Sequence, residues 1–483
     1  MLATAHALGL LLLAFSASYL LPIGWAAAQG DSASLAVFGA SGAGTLLVAL
    51  VLWLPARRHR SDLQPRDGCL LAVAGWLCAA SSAAVPLALT IPQLTPGQAF
   101  FEALSALTAT GATTVVGLDA LPASVNLWRC TLAWVGGMAV LLLAVALLPL
   151  LGVGGMQLFR AGAPGPLKEG RLLPRLAQTA RSLWTLYAGL TIACLLALRV
   201  AGLSWLDATG HAMSAVSLGG VSTRDASVAA FDSPLVEIVL AAFMLLSVLN
   251  FATHHVALRR RSLAPYRADP EARAVLLLSA ASVVMIALLL DAQDVAETLP
   301  QALRHAGFAV VSAATTTGFA GPDTGAWPIF ASFWLLFLCT VSASAGSVGG
   351  GIKMVRAMVL VKQSGRELAR LAHPRAINPL SIGGALIDNK VIFAVLGFML
   401  FYGLTAGALT MAMLATGLDL QDALASVLAC LNNTVPGVGM LAAPGAPLAL
   451  DGLQLGLLGF AMLAGRLELL ALYALLTPAF WRR

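Results

Sequence analysis

Four glycines fall at corresponding places in four related stretches of this 483-residue chain. Copy one reads Ser105-Ala-Leu-Thr-Ala-Thr-Gly111 and copy two Ser214-Ala-Val-Ser-Leu-Gly-Gly220. Copy three reads Ser312-Ala-Ala-Thr-Thr-Thr-Gly318, and the more divergent copy four Leu431-Asn-Asn-Thr-Val-Pro-Gly437. The glycines lie 109, 98 and 119 residues apart. A chain that turns back midway across a bilayer and aims successive carbonyls at one axis often needs positive φ, which glycine adopts freely. Four such turns make a ring of oxygens able to replace a cation's hydration shell. The negative carboxyl ends of the preceding helices add to the attraction. Glycine is common in transmembrane chains generally, so a single copy would carry little weight; the repeat carries the signal. The chemistry is ion dehydration and passage.

Two further features sit deep in apolar runs. Ser342-Ala-Ser-Ala-Gly-Ser-Val-Gly-Gly-Gly351 interrupts the run 327–361. Its three successive glycines cost roughly 3 kcal/mol relative to alanines in a helix. An unwound loop midway across the membrane is expected there, acceptable where it lines a cavity; close helix packing through small residues is the alternative. Arg466 falls near the middle of the last apolar run, so it must face protein or water. It either pairs with backbone carbonyls for stability alone or presents a positive charge to the ion path. Glu468, two residues on, is off its helical face. Lys353 also reads as a membrane-edge anchor, His254 and His255 as interfacial residues, and Arg224 with Asp225 as a local pair or part of a vestibule. A membrane enzyme would need a cluster of His, Asp or Glu at membrane depth, where the apolar runs offer only Arg466 and Glu468. No Walker sequence, Rossmann fingerprint or Ser-His-Asp set is visible.

These residues must be positioned by membrane-spanning helices. The chain is 59% hydrophobic and 10% charged, against roughly 25% charged residues in soluble proteins. Runs of spanning length, about 20 residues, lie near 5–28, 33–55, 69–92, 126–152, 183–203, 234–258, 274–293, 327–361, 391–416 and 453–478. Shorter amphipathic stretches near 98–110, 207–219, 301–317 and 421–433 are candidates for re-entrant helices. No Lys or Arg precedes the first run, which is therefore expected to be an uncleaved span despite Ala26-Ala27-Ala28. The six cysteines fall mostly in apolar segments without a C-x-x-C pair, which indicates neither zinc nor a disulfide framework.

The net charge is +6 and the pI about 9.2, but the basic residues sit in short gaps between runs, which argues against nucleic acid as a partner. The gaps 57–68, 153–182 and 259–273, the stretch 353–390 and the tail hold 23 of the 28 basic residues. By alternation all lie on one side, which the positive-inside rule assigns to the cytoplasm; both termini are expected there. Acidic residues such as Glu102, Asp119, Asp207, Asp225, Asp232 and Asp323 crowd the other side. Either they are what remains when basic residues are retained inside, or they form a vestibule that concentrates cations.

Thr110-Gly111-Ala112-Thr113, Gly219-Gly220-Val221-Ser222-Thr223, Thr317-Gly318-Phe319, Asn432-Asn433 with Pro436-Gly437, Gly346-Ser347 with Gly349-Gly350-Gly351, and Gly465-Arg466-Leu467-Glu468 together resemble the Trk/Ktr/HKT potassium transporters. The resemblance is nearest to the membrane subunit of the Trk system and covers essentially the whole chain. It implies an all-α polytopic membrane protein with four M1–pore helix–M2 repeats in pseudo-fourfold arrangement: two extra N-terminal helices over 1–68, then repeats over 69–182, 183–273, 274–390 and 391–483. It implies a selectivity filter at Thr110, Gly111, Gly219, Gly220, Thr317, Gly318, Asn433, Thr434, Pro436 and Gly437. Potassium would be held by carbonyls of Thr110, Gly111, Gly219, Gly220, Thr317, Gly318, Thr434 and Val435. A gate would comprise Gly346, Ser347, Gly349, Gly350, Gly351 and Arg466. Val435 and Val348 depart from the family's usual Gly and Thr. The resemblance further implies a homodimer in a bacterial cytoplasmic membrane, no covalent cofactor, and nucleotide control only through a cytosolic regulatory subunit of the TrkA type. Lipid contact at the basic loops is the plainer account of their charge. Potassium flow down its electrochemical gradient is the expectation, with a sodium- or proton-coupled symporter as the alternative.

Overall fold

In a bilayer a backbone can satisfy its own polar groups only as a helix or a closed barrel, and the described part of every apolar run of this chain is mainly helical. The computed structural model describes residues 2–56, 65–146, 172–321, 327–375, 378–435, 437, 440–442 and 450–482. Pro436, Asp323, Arg57, Arg58, Arg60, Arg160, Lys168, Arg171 and Arg483 lie outside the described residues.

The chain opens with α1 (Leu2–Ser16), which passes through a 3-10 turn at Ala17–Tyr19 into α2 (Leu20–Gln29); α3 (Ser32–Ala56) runs back. This hairpin docks through Tyr19. Its ring centroid lies 4.3 Å from that of Trp128, and its hydroxyl donates to the Ser82 carbonyl at 2.8 Å. Four groups follow, each a long helix, a short buried one and a further apolar helix, which is broken in groups two to four. The first is α4 (Pro65–Thr90), α5 (Pro96–Leu107) and α6 (Ala123–Ala146). The second is α7 (Leu172–Val200), α8 (Trp205–Ser217) and α9 (Pro234–Val248), continued by α10 (Phe251–Arg260) and the short α11 (Ala264–Ala268). The third is α12 (Pro270–Ala292), α13 (Leu299–Ala314), α14 (Ile329–Val341) and α15 (Met354–Ala372). A two-stranded hairpin, β1 (Ser381–Ile382) and β2 (Ala385–Leu386), turns on Gly383 and Gly384. The last group is α16 (Asn389–Ala415), α17 (Leu420–Leu431) and α18 (Gly452–Arg466), with α19 (Leu470–Leu476) and α20 (Pro478–Trp481) at the end.

The four short helices occupy the stretches expected to be re-entrant. Each starts on a capping side chain: Thr95, Ser204, Thr298 and Asp419 accept the backbone N–H of Gln98, Asp207, Gln301 and Asp422. Such a cap satisfies one of the donors a helix start leaves open.

Three of the ten expected spans are not continuous. Residues 234–258 split into α9 and α10, bent by 98°, because Leu249 is extended and the Asn250 side chain caps α10 by accepting from Ala252. The run 327–361 breaks between α14 and α15, where Gly346, Gly351 and Lys353 have positive φ. The last span breaks after Arg466, with Glu468 and Leu469 at φ 57° and 51°. Seven described helices are consequently long and apolar enough to cross a bilayer, and an eighth if the bent pair counts as one.

Candidate functional site

The carboxyl ends of the four short helices share one hydrogen-bond pattern. Thr110 N–H donates to Ser105, Gly219 to Ser214, Thr317 to Ser312 and Thr434 to Ala429, each at 2.9–3.0 Å. The preceding residues Ala109, Leu218, Thr316 and Asn433 all have positive φ, between 52° and 58°. This register makes Gly111, Gly220, Gly318 and Val435 equivalent. The equivalence read for Gly437 therefore shifts by two residues. Valine is a poor fit to positive φ, and Val435 does not adopt it; the left-handed glycine of copy four is Gly437, at φ 78°.

These turns meet in sequence order and close on themselves. A Cβ on Gly111 would stand 2.6 Å from the Gly219 carbonyl oxygen, and one on Gly220 would overlap the Thr317 carbonyl. A Cβ on Gly318 would stand 2.9 Å from the Val435 carbonyl oxygen. Copy four returns to copy one through Asn433, whose Nδ2 donates to Thr110 Oγ1 at 3.1 Å and to the Met462 carbonyl at 2.8 Å. Its neighbour Asn432 donates to Thr340 Oγ1 and accepts from the Tyr402 hydroxyl. Among the described residues no group of three His, Cys, Asp or Glu side chains converges to hold a metal ion. The oxygens brought together here are those of backbone and threonine.

The 342–353 loop lies against the carboxyl ends of the short helices. Gly350 N–H donates to Thr316 Oγ1 at 2.9 Å, and a Cβ on Gly350 would overlap the Asn432 carbonyl. A Cβ on Gly349 would stand 3.1 Å from Thr316 Oγ1, and one on Gly137 of α6 would stand 2.9 Å from Val348 Cγ1. Glycine is required at 349 and 350 by this proximity. The break in α9–α10 also grips the loop: Phe251 N–H donates to Gly346 O, and Ser344 N–H to Val248 O. Glu271 at the start of α12 accepts from Ala345 N–H at 2.7 Å. Ser347 Oγ turns inward to the Ser344 carbonyl.

Arg466, 5% exposed, donates through Nη1 to the Val348 carbonyl at 3.0 Å. Among the described residues its Nε and Nη2 have no protein partner. Arg466 thus ties to a carbonyl, and that carbonyl belongs to the loop. Glu468 pairs instead with Arg356 of α15. Lys353 is no membrane-edge anchor: it is buried, with Nζ on the Gly349 carbonyl. His254 is buried too, bonded to Tyr266 Oη and the Leu246 carbonyl.

Several acidic residues of the supposed vestibule are spent on structure. Asp207 holds Thr223 and Arg224, and Arg224 also reaches Asp119. Burial alone would raise the Asp225 carboxyl, but the amides of Leu118, Asp119 and Gly117 outweigh it and hold the group below the usual carboxylate range. Glu102 is buried against Arg129 of α6. Arg129 went unnoticed in sequence, although a lone arginine near the start of an apolar run is itself a signal.

Over residues 35–481 the chain matches the model of the TrkH family, described as cation transport protein. The Trk system potassium uptake protein TrkH of Salmonella typhimurium is 42% identical over 481 residues, 99% of either chain. The Trk system potassium uptake protein TrkG of Escherichia coli K12 is 35% identical over 89% of this chain and 88% of its own. The crystal structure of the potassium transporter TrkH from Vibrio parahaemolyticus matches with a TM-score of 0.91 at 37% identity, covering 100% of this chain and 99% of that one. With a family match over residues 35–481, relatives that align over nearly the whole chain and the same fold, this chain belongs to the TrkH family of cation transport proteins.

Proposed function

We propose that this chain is the membrane subunit of a potassium uptake system, conducting potassium through the ring of four turns down its electrochemical gradient. The observation that carries the reading is closure of the ring: copy one meets copy two, two meets three, three meets four, and Asn433 returns to Thr110. A dehydrated cation needs oxygens on all sides, and a ring of carbonyls with threonine hydroxyls supplies them without a charged side chain. The names of the full-length relatives, potassium uptake proteins of Trk systems, support the choice of ion.

The loop carrying Gly346, Ser347, Gly349, Gly350 and Gly351 acts in this reading as the gate beneath the ring, with Arg466 as its electrostatic part. The contacts of Gly350 with Thr316 and of Arg466 with Val348 support that role. The protein sits in a bacterial cytoplasmic membrane with its arginine-rich side inward, works as a homodimer, and takes nucleotide control from a cytosolic TrkA-like subunit. It is a transporter rather than an enzyme. The test is flux of potassium, rubidium and sodium into liposomes containing the purified chain. Potassium and rubidium should pass far faster than sodium; equal rates, or no flux from well-folded protein, would overturn the reading.

A further inference from the structure

Behind the ring, copies one and two are tied together by a buried ion pair and the hydrogen bonds around it. Glu102, midway along α5, and Arg129, on α6, are each about 2% exposed. Arg129 Nε donates to Glu102 Oε1 at 2.7 Å. The carboxylate also accepts the Thr113 hydroxyl at 3.0 Å and the Thr114 N–H at 3.0 Å, two and three residues past Gly111. Arg129 Nη2 donates to Thr113 Oγ1 at 3.1 Å. Its Nη1 crosses to copy two and donates to the Ser222 carbonyl at 3.1 Å, two residues past Gly220. One guanidinium therefore spans both turns at the same register position. That position carries a hydroxyl residue in copies one and two, Thr113 and Ser222, but Ala320 and Gly437 in copies three and four. On the outward side a second tie joins the same two copies: Asp225 accepts the amides of Gly117 and Leu118 at 2.9 and 3.0 Å.

A buried ion pair gains little stability over apolar packing, because desolvation of both charges offsets their attraction. Its geometry, however, is stiff, since charge-assisted hydrogen bonds are short and roughly twice as strong as neutral ones. Where selectivity rests on cavity size, an oxygen cage free to contract onto the smaller sodium ion loses its preference for potassium. We propose that Glu102 and Arg129 are positioning residues that hold the copy-one and copy-two turns at a fixed separation and so set the discrimination between potassium and sodium. The proposal rests on the reading of the ring as the ion path.

The test measures the potassium-to-sodium permeability ratio, potassium flux per folded molecule and melting temperature in liposome-ready protein. Glu102→Gln keeps the shape and removes the charge. Thr113→Val removes the hydroxyl shared by both partners, and Thr113→Ser restores it. Glu102→Gln and Thr113→Val should each lower the ratio about tenfold, equivalent to about 1.4 kcal/mol, with Thr113→Ser within about twofold of the parent. Potassium flux through these variants persists, because the ring itself is intact. Variants that melt earlier but keep the parent's ratio would show a merely structural pair and overturn the proposal. If Glu102→Gln does not fold, the contrast between Thr113→Val and Thr113→Ser decides alone. A parent chain that does not discriminate between the ions would instead sink the ion-path reading, a failure distinguishable from the first.

Discussion

Val435 is the residue at which the ring loses its symmetry. Gly111, Gly220 and Gly318 have φ of 81°, 62° and 81°, while in copy four the positive φ passes to Gly437. A β-branched side chain at 435 disfavours the positive φ that the other three adopt. Val435→Gly should therefore raise the potassium-to-sodium ratio. It should also lower the melting temperature, since Val435 packs in the cluster of Phe101 and Ala112 and burial of a valine contributes about 1.5–3 kcal/mol. An unchanged ratio in folded protein would sink the assignment of 435 to the ring. Arg466 poses a question of charge. A fixed positive charge repels an approaching cation by a few kcal/mol at an effective dielectric near 20 and separations of about 4–8 Å. Arg466→Gln keeps a donor for the Val348 carbonyl and should raise potassium flux per folded molecule by roughly tenfold or more, about 1.4 kcal/mol per factor of ten. Flux and melting temperature on one preparation decide the matter, and a stability loss with flux unaltered would leave Arg466 a tie between elements.

Among elements, the broken second helices of groups two, three and four set the molecule apart from a plain bundle. In groups two and three the breaks hold each other: Val248 and Gly346 join the α9–α10 break to the loop, and Ile352 N–H returns to the Thr340 carbonyl. The loop is thus held by neighbours on several sides while its glycines admit close approach. In Gly350→Ala the new Cβ overlaps the Asn432 carbonyl, so the loop must withdraw from the ring. Overpacking of this kind costs typically 1–3 kcal/mol, and under the gate reading potassium leak should increase. Flux equal to the parent's, with the expected fall in melting temperature, would argue for packing alone. Asn250→Ala removes the cap of α10 and should cost about 0.5–2 kcal/mol, read as a lower melting temperature.

At the scale of the whole molecule, the N-terminal hairpin is an addition docked on the outside of the first group. Tyr19 is the pin: 1% exposed, tilted against Trp128 and bonded to Ser82 and Thr45. Tyr19→Ala should destabilise the protein by about 3–5 kcal/mol, as large aromatic truncations in a core do. The hydrogen bonds and aromatic contacts of Tyr19 among the described residues go to Ser82, Thr45, Phe15 and Trp128 rather than to the ring of turns. The permeability ratio should therefore stay at the parent's value; a changed ratio would tie the hairpin to ion selection.

Composition, the lengths of the apolar runs and the spacing of the glycine-bearing copies determined by themselves that this chain is a helical membrane protein with four short buried helices. Those properties depend on local chemistry, on backbone self-satisfaction in lipid and on turns that need positive φ. The motifs leave the copy-four register divided between Val435 and Gly437, and the Thr434–Ala429 bond of the tertiary structure aligns Val435 with the other three glycines. The tertiary structure alone showed that Arg466 meets Val348 rather than Glu468, and that Arg129 joins Glu102 to Ser222. Partners 93 or 118 residues apart leave no periodic trace. Their choice follows from how the helices break and pack, which no local preference encodes.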